Sequence, residues 1–118
     1  MQQYLRDSSE FQNVYRHGQR YDGTFITVFV LQNRSLHHRL GVTASRKAVG
    51  KAVLRNRAKR LIRESFRSNQ KSLRSLNLYY DWVVNAKATL LTERLNAPAT
   101  EFAEIIEKVG KVENTSDR

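Results

Sequence analysis

The chain has no cysteine, one proline, one tryptophan, one methionine and five glycines in 118 residues. Without cysteine there is neither a disulfide framework nor a Cys-based zinc site, which fits a reducing cytoplasm. No apolar run approaches the length of a membrane span. The start, Met1-Gln2-Gln3-Tyr4-Leu5-Arg6-Asp7, lacks the apolar stretch of a secretory signal. There are three histidines, His17, His37 and His38. Neighbours in an extended segment point to opposite faces, so His37 and His38 do not converge on one ion, and polar-loop roles are expected. Acids are scarce, with Asp7, Asp22, Glu64 and Asp81 dispersed along the chain. No glycine-rich loop matches a phosphate-binding fingerprint. Catalytic residues and protein metal ligands are therefore both expected to be absent.

What the chain does have is positive charge in one place. Residues 46–74 hold eleven Lys or Arg and one acid, Glu64, a net +10 that equals the formal charge of the whole chain. At about 100° per residue, Leu54, Ala58, Leu61, Ile62 and Ser65 share one stripe of a helix. Arg55, Lys59, Arg63 and Arg67 recur every four residues, with Arg60 beside them on the far side of the helix. Asn56 falls near the middle of that face and Arg57 at its edge. A solvated helix would mix signs at i, i+4, whereas stacked like charges cost stability unless an anion neutralises them. A membrane-surface helix needs a wide face of bulky apolar anchors, and this stripe is narrow, with Ala58 and Ser65 in it. Nucleic acid fits best, because phosphate neutralisation by Lys and Arg supplies affinity.

At this length one domain is expected, burying about two thirds of its unfolded surface. Neither an internal repeat nor an interdomain linker is visible. Ser9-Glu10-Phe11-Gln12 has the capping-box spacing, which predicts a helix over 10–17 ending at Gly18, with Phe11, Val14 and Tyr15 on one face. Residues 24–31 read as a strand apolar on both faces: Phe25, Phe29 and Leu31 on one, Ile26, Val28 and Val30 on the other. Residues 39–44 read as the second strand of an antiparallel pair. A basic loop over 45–50 then feeds the charged helix at 51–69. Residues 81–87 form another strand. Pro98 suits the first turn of a last helix, with Phe102, Ile105, Ile106 and Val109 as its buried stripe and an unstructured tail over about 111–118. The expected order is α-β-β-α-β-α, an α+β fold built as a two-layer α/β sandwich on a small, mostly antiparallel sheet.

Leu40-Gly41-Val42-Thr43-Ala44-Ser45-Arg46-Lys47, followed by Gly50-Lys51-Ala52-Val53-Leu54-Arg55-Asn56-Arg57-Ala58-Lys59-Arg60-Leu61-Ile62-Arg63-Glu64-Ser65-Phe66-Arg67, resembles the protein subunit of bacterial ribonuclease P. The family's hallmark is an Arg-Asn-Arg motif opening a basic helix, here Arg55-Asn56-Arg57. The resemblance runs over about Leu5 to Val109, and includes Phe11, Val14, Tyr15 and Gly18 in the first helix and the Asp81-Trp82-Val83-Val84 strand. The sequence departs from the family at Asn85, where the strand is usually apolar, and at Ala58, where a larger aliphatic is usual. Neither terminus is basic.

The resemblance implies a sandwich with a left-handed βαβ crossover, against the usual hand. It also implies a large catalytic RNA as partner, which performs the magnesium-dependent removal of the 5′ leader from precursor tRNA. The Mg2+ would be held mainly by RNA and substrate, and no membrane or obligate protein partner is implied. Carried onto this sequence, the RNA-binding residues are Arg46, Lys47, Lys51, Arg55, Asn56, Arg57, Lys59, Arg60, Arg63 and Arg67. A cleft between the first helix and the sheet would take the single-stranded leader, with Phe11, Tyr15, Ile26 and Val28 as its expected lining. Aromatic faces stack unpaired bases without demanding a sequence. The competing reading is a ribosomal or ribosome-assembly protein that only binds structured RNA.

Overall fold

The computed structural model describes residues 4–94 and 96–116. Helix α1 (Ser8–His17) is followed by strands β1 (Gln19–Asp22), β2 (Ile26–Gln32) and β3 (Arg39–Thr43). Helices α2 (Arg46–Val49), α3 (Ala52–Ser68) and α4 (Gln70–Arg74) come next. Strand β4 (Tyr80–Ala86), a 3-10 turn (Ala88–Thr92) and helix α5 (Asn96–Ser116) complete the described chain. The α+β sandwich expected from the sequence is present, and its sheet has the order β1-β2-β4-β3.

A short helix, α2, lies within the 45–50 segment expected to be a loop, and three further details differ from expectation. The polar residues Gln19–Asp22 form an edge strand antiparallel to β2, paired from Gln19↔Val30 to Asp22↔Thr27. Second, β2 and β3 are not partners. β4 lies between them, antiparallel to β2 and parallel to β3, with Val28↔Val84 and Leu40↔Trp82 in register. A parallel pair needs a long crossover, and helices α2 to α4 supply it. Third, α5 continues to Ser116 through the segment expected to be unstructured, while Asp117 and Arg118 lie outside the described residues. The reason is Glu113, which is buried. Its carboxylate accepts hydrogen bonds from the Asn77 and Leu78 backbone N–H (3.0 Å each) and from Tyr80 Oη (2.7 Å).

Side chains alternate across the sheet with the period of two that a strand imposes. One face carries Ile26, Val28, Val30, Leu40, Trp82 and Val84. It packs against Ala58, Leu61, Ile62 and Phe66 of α3 and Phe102, Ile105, Ile106 and Val109 of α5. That is the main core, and the α3 and α5 stripes read from the sequence lie in it, except Leu54, which is exposed. His38 ties its end together. Its Nδ1 accepts from Trp82 Nε1 (3.1 Å) and the Tyr80 N–H (3.2 Å), so Nε2 carries the proton and donates to the Leu73 carbonyl (3.2 Å). Burial pulls the His38 pKa below its usual value, as the neutral ring in this tautomer requires.

Among the described residues the opposite face is covered by α1 and Leu5 before it, through a small cluster of Leu5, Val14 and Val83 with Phe11, Phe29 and Leu31 around it. Two devices fix α1 there. Gly41 leaves room for the Phe11 ring, since a Cβ at that position would sit 2.7 Å from Phe11 Cε2. Arg39 forks onto the buried Asp81 carboxylate with two 2.7 Å bonds and reaches Glu10 of α1 at 2.9 Å. Glu10 also accepts the Arg6 and Asp7 backbone N–H (3.1 Å each), so the cap of α1 is Asp7 with Glu10 at its third position. These contacts, with Arg39, hold the Glu10 carboxyl below its ordinary range.

Candidate nucleic-acid interface

The first surface is the outer face of α3 with the residues leading into it. Ser45 caps α2 by accepting the Ala48 N–H (3.1 Å). Gly50, with φ +97°, then turns the chain into α3, a backbone region that favours glycine. Arg46, Lys47, Lys51, Asn56, Arg57, Arg60, Arg63 and Arg67 are exposed, and Arg55 and Lys59 are half-buried. Among the described residues, the one ion pair made by these cations is Arg60 to Glu64, at 4.0 Å. The rest of the charge stands unneutralised. Arg55 Nε is buried and makes no hydrogen bond among the described residues.

The second surface is a groove of about 540 Å³ between α1 and the β3 edge of the sheet. Arg6, Ser8, Phe11, Gln12 and Tyr15 form one wall, Val42, Thr43, Ala44 and Ser45 the other, and Lys59 of α3 closes one end. Lys59, expected on the outer basic face, is therefore where the two surfaces meet.

Register explains which side chains reach this face. One row across the sheet is Gly41, Val83, Phe29 and Arg20, and the next is Thr43, Asn85, Thr27 and Asp22. Tyr15 stands edge-on to Phe29, ring centroids 4.9 Å apart, and the Arg20 guanidinium lies 5.6 Å over the same ring. Tyr15 Oη donates to Asn85 Oδ1 at 2.9 Å, and Thr43 Oγ1 donates to the same oxygen at 2.5 Å. At the far end, Asp22 accepts from Thr27 Oγ1 (2.8 Å) and pairs with Lys87 (3.0 Å), which together lower its pKa.

Of the four residues expected to line this cleft, Phe11 and Tyr15 do so. Ile26 and Val28 do not. They are 2% and 0% exposed, on the opposite sheet face among the main core. The strand is apolar on both sides, and its other set, with Phe29, faces α1. Arg6 and Thr43, which line the groove, and Asn85 and Phe29, which hold Tyr15 from behind, were not among the expected residues. The available signal was Asn85 itself, an amide at the end of an otherwise apolar run whose strand partners are two threonines.

Among the described residues no group of three or more His, Asp or Glu side chains could hold a metal ion. No helix among them is long and apolar enough to cross a membrane.

A cationic helix face joined to an aromatic-walled groove, on a small α+β sandwich, defines a domain built to hold a polyanion. Residues 1–110 match the family model Ribonuclease P. The chain is 37% identical over 105 residues to the Ribonuclease P protein component of Coxiella burnetii, covering 89% of this chain and 80% of that one. A Ribonuclease P protein component of Clostridium botulinum is 48% identical over 65 residues, 55% of this chain and 58% of the relative. The chain thus spans just over half the length of the clostridial relative it matches. The solved RNase P protein of Staphylococcus aureus superposes with a TM-score of 0.74 at 28% identity, covering 95% of this chain and 98% of that one. The RNase P protein of Thermotoga maritima has the same fold, TM-score 0.76 at 24% identity, over 91% and 97% of the two chains. This chain belongs to the Ribonuclease P protein family.

Proposed function

We propose that this chain is the protein subunit of a bacterial ribonuclease P, a cytoplasmic ribonucleoprotein. It binds the catalytic RNA through α3 and its preceding loop, and the 5′ leader of precursor tRNA through the α1 groove. The observation that carries this reading is the unneutralised cationic face of α3. Guanidinium groups fork onto phosphate oxygens, and folded RNA is contacted mainly through backbone and shape, which suits a rigid helix of spaced cations.

The groove supports the second role. Phe11 and Tyr15 offer ring surface for unpaired bases, while Arg6 and Lys59 offer charge to the backbone joining them. Stacking is sequence-tolerant, as a leader that varies among precursors requires. Five of the chain's acids are committed elsewhere: Asp81 and Glu10 to Arg39, Asp22 to Lys87, Glu101 to the Thr24, Phe25 and Ile26 N–H groups, and Glu113 to the 77–80 segment. In this reading magnesium is held by RNA and substrate phosphates, and the chain's residues contribute binding and orientation.

The test is to reconstitute the chain with in vitro transcribed ribonuclease P RNA and compare its affinity for precursor and mature tRNA. The subunit reading predicts tighter precursor binding with the protein than with RNA alone. Equal affinities with and without protein would instead favour a protein that only binds structured RNA.

A further inference from the structure

Two loops meet at the end of the sheet where β3 and β4 begin. The 33–38 loop is built on Asn33, whose Nδ2 donates to the His37 carbonyl (3.1 Å) and to Asp81 Oδ1 (2.8 Å). The Asn33 N–H donates to the Tyr79 carbonyl (3.0 Å), which ties this loop to the 75–79 loop. The Tyr79 ring stands edge-on to His38, centroids 5.2 Å apart, and His38 is itself bonded to the Leu73 carbonyl of α4. Among the described residues, three of the seven large hydrophobic side chains left exposed are in these loops: Leu36, Leu78 and Tyr79, the last 44% exposed. The charge around them is of one sign. Residues 65–80 hold Arg67, Lys71 and Arg74 and no acid, and the 33–38 loop holds Arg34 and no acid. All four cations are exposed, and among the described residues none makes an ion pair. The two acids that reach these loops, Asp81 and Glu113, are buried and already engaged with Arg39, Asn33, Tyr80 and the backbone at 77–78.

We propose that this end of the sheet is a second docking point for the catalytic RNA, with one unpaired base stacked on the open face of Tyr79 and its flanking phosphates on Arg34 and Arg74. The inference rests on the catalytic-RNA reading of α3 above. Continuity with that face names the occupant. The 17 residues of α3 span about 25 Å, with cations as far as Arg67 in the last turn. Lys71 and Arg74 continue them on α4, which follows after Asn69 alone. An RNA lying along α3 is thereby led to the two loops. Unpaired nucleotides of a folded RNA offer the base faces that its stems hide, and such bases stack on tyrosine. The Tyr79 ring is held by His38 before a base arrives, so little ordering remains to be done. A protein partner fits less well, because the cores of protein interfaces are depleted of charge, and here cations surround three apolar side chains.

The test measures binding of the full chain to transcribed ribonuclease P RNA with no tRNA present. Tyr79→Ala should weaken it about 5- to 150-fold, the loss of one stacked base, while Tyr79→Phe keeps the ring and should bind as wild type. Arg34→Gln combined with Arg74→Gln should lower the salt slope by about 1.4 to 1.8, two phosphates at about 0.7 to 0.9 each. The precursor-to-mature affinity ratio of the holoenzyme should keep its wild-type value in every variant. Circular dichroism checks folding. Both arginines are exposed, so the double variant decides the matter if Tyr79→Ala misfolds. Unchanged affinity in folded Tyr79→Ala, an equal loss in Tyr79→Phe, or an unchanged salt slope in the double variant overturns the inference. So does a changed precursor-to-mature ratio with intact binding to the RNA, which would give this surface to the substrate. Alanine at Arg55, Arg57 and Arg60 together, measured alongside, separates the two readings. If that variant binds weakly while the loop variants bind as wild type, only the second docking point falls; if it too binds as wild type, the reading of α3 falls with it.

Discussion

Replacing Arg55, Arg57 and Arg60 together with alanine tests the α3 face quantitatively. Each phosphate neutralised contributes about 0.7 to 0.9 to the slope of log K against log salt. Three contacts therefore carry a slope of about 2 to 2.7. At 0.15 M salt that is about two decades of affinity, so the triple variant should bind ribonuclease P RNA about 100-fold more weakly. Arg60 is already 4.0 Å from Glu64, so its share is smaller, and a slope change nearer 2 is expected. Folding should survive. Arg57 and Arg60 are exposed, Arg55 is half-buried, and alanine is the best helix former. Filter binding from 50 mM to 500 mM salt, with circular dichroism on the same samples, gives both readouts. A natively folded triple variant with unchanged affinity and salt slope would refute the assignment of this face to RNA.

Tyr15→Ala should lower the precursor-to-mature affinity ratio of the holoenzyme by about 5- to 150-fold, the loss of one stacked base at about 1–3 kcal/mol. Titration of fluorescent precursor and mature tRNA at saturating protein checks this. Ile26→Ala should instead cost about 2–5 kcal/mol of stability in a denaturant titration, because Ile26 is core, and at protein concentrations that keep it folded the ratio should stand. The His38 pKa is lowered in the fold, so its contribution is complete above the unfolded value of 6.5 and is lost as pH falls towards the folded value. Over that interval stability should drop by about 1.4 kcal/mol per pH unit. His38→Asn should flatten this dependence, read as urea midpoints between pH 8 and pH 5, and an unflattened curve would place the titration elsewhere.

The strongly periodic parts of the chain were legible because one physical requirement governs them. In α3 the stripe of Ala58, Leu61, Ile62 and Ser65 and the opposing cations need a core on one side and an anion on the other. Both stripe and core agree in the structure. β1 was not legible because Gln19–Asp22 is an exposed edge strand with no apolar period to reveal it. The partners of β3 depend on insertion of a strand some forty residues later. The burial of nearly every β4 residue marks that strand as central only once the sheet is seen. The choice between Ile26/Val28 and Phe29 as cleft residues is a parity question. A strand apolar on both faces leaves it open, because a one-residue shift exchanges the faces. Asn85 was legible as a departure from pattern, but its hydroxyl partners come from α1 and β3, 70 and 42 positions away. Glu113 was hidden for the same reason, since its N–H partners belong to a loop more than thirty residues upstream.

The central claim is that this chain assists an RNA catalyst and supplies no cleavage chemistry of its own. The direct measurement is cleavage of 5′-labelled precursor tRNA at low magnesium by protein alone, by transcribed ribonuclease P RNA alone, and by the two together. The account predicts no product from rigorously RNA-free protein, slow cleavage by RNA that rises with magnesium, and efficient leader release by the mixture at low magnesium. Robust cleavage by the RNA-free protein, or a mixture no faster than RNA alone, would contradict it.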